Sequence, residues 1–191
     1  MAEAITCLLG RWREGDRAAL DELMPLMYGQ MRALAGSMLR NESGSHTLSA
    51  TAMVNELYLR LADGPAPVND RAHFAALAAT VLRHILLDWA RGKKRDKRGG
   101  GAIHETLKEN SAALEADAET ILEINRLLDR LNEVDERKVK VVEMVFFGGM
   151  TYDETAEVLG ISAVTVHREL RMAKAWMRSE LERAPEAVPA P

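Results

Sequence analysis

The segment 151–178 constrains the fold more than any other part of the chain. Thr151 and Glu154 have the spacing of a capping box, in which a hydroxyl and a carboxylate satisfy free N–H groups at a helix start. Gly160 can take the left-handed conformation of a tight turn, and Ser162 then suits the N-cap of a second helix. The pattern therefore predicts two helices joined by a short turn.

The two helices are predicted to cross closely. Four apolar residues recur at helical spacing on the inner face of the second helix, namely Val166, Leu170, Ala173 and Met177. Ala156 in the first helix is small enough for the second helix to approach it. Ile161 and Val166 stand at the positions of a hydrophobic staple. This arrangement leaves the opposite face of the second helix free.

The free face of the second helix is cationic. It carries Val164, Thr165, His167, Arg168 and Arg171, with Lys174 and Arg178 flanking. The first of these side chains can reach base edges in a major groove, and the later cations can reach phosphates. We therefore predict a helix-turn-helix that places its second helix on duplex DNA. A helical hairpin with a basic exterior is the alternative, and for His167 both DNA contact and simple exposure stay open.

Composition extends the helical prediction to the whole chain. Aromatic residues make up only 5% of the sequence, while Ala, Leu, Met, Glu and Arg abound, so we predict an all-α fold. The predicted helices cover about 4–14, 16–40, 48–62, 70–95, 117–132, 135–147, 152–159 and 163–182.

Three consecutive glycines at 99–101 divide the chain into two small helical domains. The predicted parts are a first domain 1–98, a flexible linker 99–117, a second domain 118–183 with the helix-turn-helix, and a disordered, proline-containing tail 184–191. A linker of about 18 residues would also allow a closed arrangement that hides the DNA-facing surfaces.

The net charge of −4 argues against a protein that coats DNA generally, so a nucleic-acid role must lie in local patches. The clearest patch has six basic residues within eight positions: Arg91, Lys93, Lys94, Arg95, Lys97 and Arg98. A solvated helix end is the alternative, since cations are favoured at the negative end of a helix dipole.

The single cysteine and the lack of a long apolar stretch predict a cytoplasmic protein without a membrane segment. Cys7 lies in an apolar run, which favours a buried structural thiol over a redox switch.

The stretch 74–89 is apolar-rich, and its polar stripe leads into the basic patch through His84, Asp88, Arg91 and Arg95. Such a helix can pack on one side and hold nucleic acid on the other. His84 and Asp88 lack further ligands at fitting spacing, so we predict ion-pair or surface roles, no metal and no cofactor. An enzyme that uses His73, His84 and Asp88 is the weakest alternative, because no phosphate-binding glycine loop or nucleophile elbow is present.

Three stretches, 49–61, 74–95 and 151–178, stand in the order and approximate spacing of known segments. With them the chain resembles a bacterial sigma factor of the extracytoplasmic-function (ECF) type over most of residues 5–182. The resemblance implies a non-enzymatic protein whose partners are core RNA polymerase and promoter DNA, both duplex and melted.

The resemblance also implies a division of labour. The helix at 49–61 would dock on the β′ clamp helices through Met53, Asn55 and Glu56, and the β subunit is a further implied contact. The loop at about 63–73 and the next helix would hold the melted minus-ten strand, with one base flipped into a pocket. Phosphate contacts are implied for Arg83, Arg91, Lys93, Lys94 and Arg95. The C-terminal helix would read the minus-35 element as duplex.

Two positions depart from the family pattern. Leu77 stands where members often carry an aromatic residue, which affects single-strand stacking. The docking helix begins with the residues 49–52, Ser-Ala-Thr-Ala, where relatives commonly have an acidic cluster, and Glu56 is its only acid. Phosphorylation of Thr51, or less favourably of Ser49, would supply negative charge in the first turn.

A Ser/Thr kinase is therefore a candidate partner, beside an anti-sigma factor. Alternatively, Ser49 is only an N-cap, Thr51 is a neutral first-turn residue, and an apolar helix face suffices for docking.

Two further functions stay open at this point. A stand-alone regulator that binds duplex operator DNA as a dimer would leave the basic patch and the docking helix without a role, and an adaptor would act by titrating another regulator.

Overall fold

The computed structural model describes residues 2–39, 48–64, 66–98 and 108–183, and all regular secondary structure in these ranges is helical. The helices are α1 (Ala2–Arg13), α2 (Arg17–Leu39), α3 (Ala50–Ala62), α4 (Arg71–Arg98), α5 (Lys108–Val134), α6 (Glu136–Val142), α7 (Tyr152–Leu159) and α8 (Ala163–Arg183). A π-helical turn, Glu143–Phe147, continues α6. The all-α prediction is confirmed.

The N-terminal half, residues 2–98, packs α1 to α4 around one apolar core. Each helix turns a stripe of Leu, Met, Ala or Val inward, which is the usual consequence of apolar residues at helical spacing. Trp12 and Phe74 meet edge to face in this core, with ring centroids 6.0 Å apart. Cys7 was predicted to be buried, and this is wrong, because Ile5, Leu8 and Leu9 form the inner face of α1 and leave the thiol exposed.

The C-terminal half, residues 108–183, packs α5 to α8 around a smaller core. Helix α5 begins at Lys108, so it includes residues 108–117, which we predicted as linker. These residues include three Ala and two Glu and contain neither Gly nor Pro, so a helix extends through them at little cost. The rest of the predicted linker, 99–107, and the predicted tail, 184–191, lie outside the described residues.

The predicted helix 135–147 ends differently from the expectation. Regular α-helix stops at Val142, and the next turn is widened, with the Gly148 N–H donating to the Glu143 carbonyl at 2.8 Å. A Cβ at Gly148 would lie 2.3 Å from the Met144 carbonyl oxygen, so only glycine fits this close return of the backbone. The π-helical turn points Glu143 and Met144 toward α4.

Helix α4 is the element that joins the two halves, because it packs on α3 in one half and on α5, α7 and the π-helical turn in the other. A small satellite core forms there from Ala76, Met144 and Met150. Within the described ranges, every helix is too short or too polar to span a membrane.

Candidate nucleic-acid interface

The capping box at the start of α7 is confirmed. Thr151 Oγ1 accepts from the Glu154 N–H at 3.2 Å, and Glu154 Oε2 accepts from the Thr151 N–H at 2.8 Å. The Thr151 backbone N–H, with its hydroxyl, holds the pKa of Glu154 below its ordinary value. The entry angle of α7 is therefore set by a reciprocal pair of hydrogen bonds.

The turn between α7 and α8 also follows the prediction. Gly160 has φ 62° and ψ 36°, the left-handed conformation, and the Ile161 N–H donates to the Ala156 carbonyl at 3.0 Å. Ser162 Oγ then accepts from the Thr165 N–H at 3.1 Å, which makes Ser162 the N-cap of α8. These local contacts place the two helices across a short, defined turn.

The inner face of α8 is buried as predicted. Val166, Leu170 and Ala173 are at most 3% exposed, and Ala156 of α7 belongs to the same core cluster. Met177 is partly buried against this cluster. The outer face of α8 therefore points to solvent.

Most of the predicted DNA-facing residues lie on this outer face. The exposed ones are Val164, His167, Arg168, Arg171, Lys174 and Arg178. Val164 is 79% exposed, an unusual position for an apolar side chain and one suited to contact a thymine methyl group. Thr165 is half-buried, and its hydroxyl lies 2.9 Å from Ser162 Oγ, so it takes part in the cap.

Three side chains of this face have neighbours that orient them. The His167 ring lies 5.8 Å from the Tyr152 ring, and Lys174 Nζ lies 4.7 Å from the centre of the Phe146 ring. Arg168 Nη2 lies 3.3 Å from Glu169 Oε1. Such contacts restrict the rotamers of these exposed side chains before any ligand is bound.

Glu169 lies on the inner side of α8 and is held by Lys138 at 3.0 Å. Lys138 also pairs with Asp135, the N-cap of α6. The Lys138 ammonium lowers the pKa of both carboxyl groups and is itself raised in pKa by them. This ion-pair cluster connects α6 to α8.

The basic patch at the end of α4 forms a second cationic surface. Arg91 and Arg95 are exposed and Lys93 and Lys94 are half-buried, while the side chains of Lys97 and Arg98 lie outside the described residues. Lys93 Nζ lies 6.0 Å from the centre of the Trp89 ring. The molecule therefore carries two cationic surfaces, one in each half.

The sequence profile described as ECF sigma factor matches residues 2–183. The chain belongs to the ECF sigma factor family. Sigma factors are a non-enzymatic class of initiation factor. Because the chain belongs to this family, it binds core RNA polymerase and promoter DNA and directs transcription initiation. No curated protein matches the chain.

Arg83 of this sigma factor differs from the other predicted phosphate contacts because its side chain is largely buried and paired with protein groups. Its side chain is 11% exposed, and Nη2 lies 2.6 Å from Glu143 Oε1 on the π-helical turn. Its Nη1 donates to Asn125 Oδ1 on α5 at 2.5 Å. In this arrangement of the two halves, the Arg83 guanidinium is not available to a phosphate. The sequence did not reveal its pairing with Glu143 and Asn125.

The three residues predicted to dock on the polymerase have different surroundings. Met53 is fully buried in the N-terminal core, so the prediction that it contacts a partner does not fit this structure. Asn55 is exposed, and Glu56 is half-buried and pairs with Arg60 at 3.0 Å. The exposed residues of α3 include Thr51, Asn55 and Leu59, spaced four residues apart and therefore on one face.

Two of the residues weighed as metal ligands, His73 and Asp88, are engaged with protein groups. His73 Nδ1 lies 2.7 Å from Asp70 Oδ2, and Asp88 pairs with Arg60 at 2.9 Å and with Arg91 at 3.5 Å. Within the part of the chain that the structure describes, no three His, Cys, Asp or Glu side chains are grouped as a metal site.

Proposed function

We propose that this sigma factor divides the promoter between its halves. The C-terminal half reads the minus-35 element as duplex through α8, and the N-terminal half docks on the polymerase and holds the melted minus-ten strand. The observation that carries the proposal is the outer face of α8, where Val164 and the cations stand exposed behind a capped turn. This is the geometry that a recognition helix needs in a major groove.

The first test separates base contacts from phosphate contacts on α8. Arg168→Ala and Arg171→Ala are each expected to weaken binding of the holoenzyme to duplex promoter DNA. Loss of a bidentate base contact costs about 1–3 kcal/mol and relaxes sequence preference, whereas loss of a phosphate contact lowers the salt slope by about one unit. Arg137→Ala, an exposed arginine of α6, is the matched control. Unchanged affinity and unchanged salt slope in both variants would argue against this role of α8.

Docking on the polymerase is proposed for the exposed face of α3. Leu59 is 58% exposed there, and an apolar groove between α2 and α3 is lined by residues such as Pro25, Tyr28 and Tyr58. Tyr58 Oη donates to Asp21 at 2.6 Å, which orients one wall of the groove. Exposed apolar side chains beside polar ones are typical of a protein interface.

Control by phosphorylation is proposed for Thr51. Ser49 already serves as N-cap, with Oγ accepting from the Ala52 N–H at 3.1 Å, whereas Thr51 is exposed two residues into α3. A phosphate at Thr51 would stand near the positive end of the helix dipole and beside Asn55 on the docking face. It would supply negative charge on a face where this helix has none in its first turn.

Run-off transcription with purified core polymerase tests this proposal. Thr51→Asp is expected to transcribe more than the unphosphorylated wild type, by about tenfold if the new charge contributes roughly 1.5 kcal/mol to docking. Ala52→Asp is the control, because it adds the same charge in the same turn on a different face of α3. If Thr51→Ala transcribes as well as the wild type in the presence of the kinase, the apolar face of α3 suffices and the switch is excluded.

A further inference from the structure

A buried polar cluster connects the two halves of the molecule. Arg83 on α4 pairs with Glu143 on the π-helical turn at 2.6 Å, and each side chain is only 11% exposed. Thr80, one helical turn before Arg83, donates from Oγ1 to Glu143 Oε2 at 3.0 Å. Asn125 on α5 accepts from Arg83 and donates to Asp129 at 2.8 Å. The Glu143 carboxylate is thus held by two side chains of α4.

Apolar contacts lie beside this cluster, on the same face of α4. Ala76 is buried against Met144 and Met150, with Val158 and Leu159 of α7 packed beside them. Because Ala76 and Thr80 have small side chains, the π-helical turn can approach this face of α4 closely. The contact between the halves therefore combines an ion pair with a small apolar cluster beside it.

This arrangement cannot be the one in which both promoter elements are bound. The proposed minus-35 and minus-ten elements lie about 25 base pairs apart by their positions, which is roughly 85 Å at 3.4 Å per base pair. A compact chain of this length has a radius of gyration of about 16 Å. The two halves must therefore move apart on the promoter, and any contact that holds them together competes with promoter binding.

We propose that the Arg83–Glu143 contact is an autoinhibitory latch, in which the Glu143 carboxylate takes the place of a promoter phosphate on Arg83. Carboxylate and phosphate oxygens are alternative partners for the same guanidinium fork. The proposal rests on the proposed role of α4 in holding the melted strand. In the free protein, the Glu143 carboxylate keeps the two halves together until polymerase and DNA separate them.

The hydrogen bonding of Arg83 supports a reversible latch. Its Nε is buried without an acceptor, and among the described residues it is the one buried side-chain nitrogen or oxygen in that condition. A buried donor without a partner weakens the closed state relative to one in which all donors are satisfied. Opening exposes Nε to water or to a phosphate oxygen, so separation of the halves recovers part of what the broken ion pair loses.

The distance between the halves provides the direct test. Cys7 is the single cysteine of the chain and is exposed on α1, so one added cysteine, Arg137→Cys on α6, allows a pair of spin labels in the full-length protein. Electron–electron double resonance should give one main distance in this background. Adding Glu143→Gln, which removes the charge but keeps the side-chain shape, should shift the distribution to longer distances.

Binding of single-stranded DNA provides the second readout. Fluorescence anisotropy with an oligo(dT) of about 20 nucleotides reports phosphate and base contacts without a sequence requirement. Glu143→Gln should bind this probe about tenfold more tightly, because affinity rises with the fraction of open molecules. Thr80→Val should act in the same direction with a smaller effect. Glu133→Gln, at an exposed acid of α5, removes the same charge and should bind like the wild type.

Two results would overturn the latch. One is a Glu143→Gln protein with wild-type circular dichroism and an unchanged label distance, and the other is a longer distance without tighter oligo(dT) binding. If Glu143→Gln does not fold, Thr80→Val is judged by the same two readouts. The label distance does not depend on transcription, so failure of the run-off assay would count against the proposed function and leave this result standing.

Discussion

The two halves of this sigma factor are stabilised by different kinds of buried contact. The N-terminal core has 23 buried apolar residues and the C-terminal core has nine. All five buried polar residues within the described ranges, Asn125, Glu143, Thr155, Glu169 and Glu180, lie in the C-terminal half. The N-terminal half is therefore held by removal of apolar surface from water, and the C-terminal half depends in addition on charges that must keep their partners.

The sharpest difference is expected for a large core deletion. Phe74→Ala removes a fully buried ring that contacts Trp12, and it should lower the free energy of unfolding by about 3–5 kcal/mol. Phe146→Ala deletes the same atoms from a side chain that is 51% exposed and should cost less than about 1 kcal/mol. Denaturant unfolding, with hydrogen exchange as the probe, measures the free energy of unfolding of both variants. Equal costs would mean that apolar burial does not distinguish the two positions.

Removing the half-buried charge of Lys138 should affect the C-terminal half alone. Lys138→Met leaves Asp135 and Glu169 without their shared cation and should cost about 1.5–3 kcal/mol, because hydrogen bonds to charged groups are lost in a poorly solvated site. Lys140→Met on the same helix breaks an exposed pair with Glu136 and should cost less than about 1 kcal/mol. Peptides of α6 and α8 should exchange faster in Lys138→Met. Faster exchange in α1 and α2 instead would contradict the comparison.

Acid should remove the stabilisation that the Lys138 ion-pair cluster gives to the C-terminal half. Lys138 lowers the folded-state pKa of Glu169 and Asp135 below their ordinary values of 4.5 and 3.8. Their contribution is therefore complete above about pH 5 and is lost as pH falls through the lowered pKa values. Hydrogen exchange or thermal melting at a series of pH values measures this, and Lys138→Met should flatten the dependence. A dependence that survives in Lys138→Met would assign it to other carboxyl groups.

The smallest effect is expected at the cap of α7. Thr151→Ala removes the hydroxyl that accepts from the Glu154 N–H and should cost about 1 kcal/mol of stability. Thr151→Ser keeps this acceptor and should restore most of the loss. Thermal unfolding monitored by circular dichroism is sufficient. A Ser variant as unstable as the Ala variant would show that the methyl group, and not the capping bond, matters here.

Local structure was predictable where it depends on neighbours within four residues. The capping box at Thr151, the left-handed Gly160 and the cap at Ser162 all involve contacts of this range, and the structure confirms each one. The widened turn was missed, although the Gly148–Gly149 pair is a signal that a helix ends there in an unusual way. Helical periodicity alone does not distinguish a π-helical turn from an α-helical one.

Side-chain surroundings were less predictable than helix positions. Cys7 and Met53 both lie in apolar-rich stretches, yet the first is exposed and the second is fully buried. The difference follows from the face of each helix that meets its neighbours, and a shift of one residue along a helix changes that face by about 100°. The sequence of a stretch therefore predicts an amphipathic helix more reliably than it predicts whether a particular cysteine or methionine side chain is buried.

The sequence by itself determined that the chain is all-α, where the helix pair at 151–178 begins and turns, and which side of α8 is cationic. These properties follow from backbone hydrogen bonds and side-chain spacing within single helices. Only the tertiary structure decided that Arg83 pairs with Asn125 and Glu143, which lie 42 and 60 positions further along the chain. That pairing depends on how two helical units pack, and no local pattern encodes it.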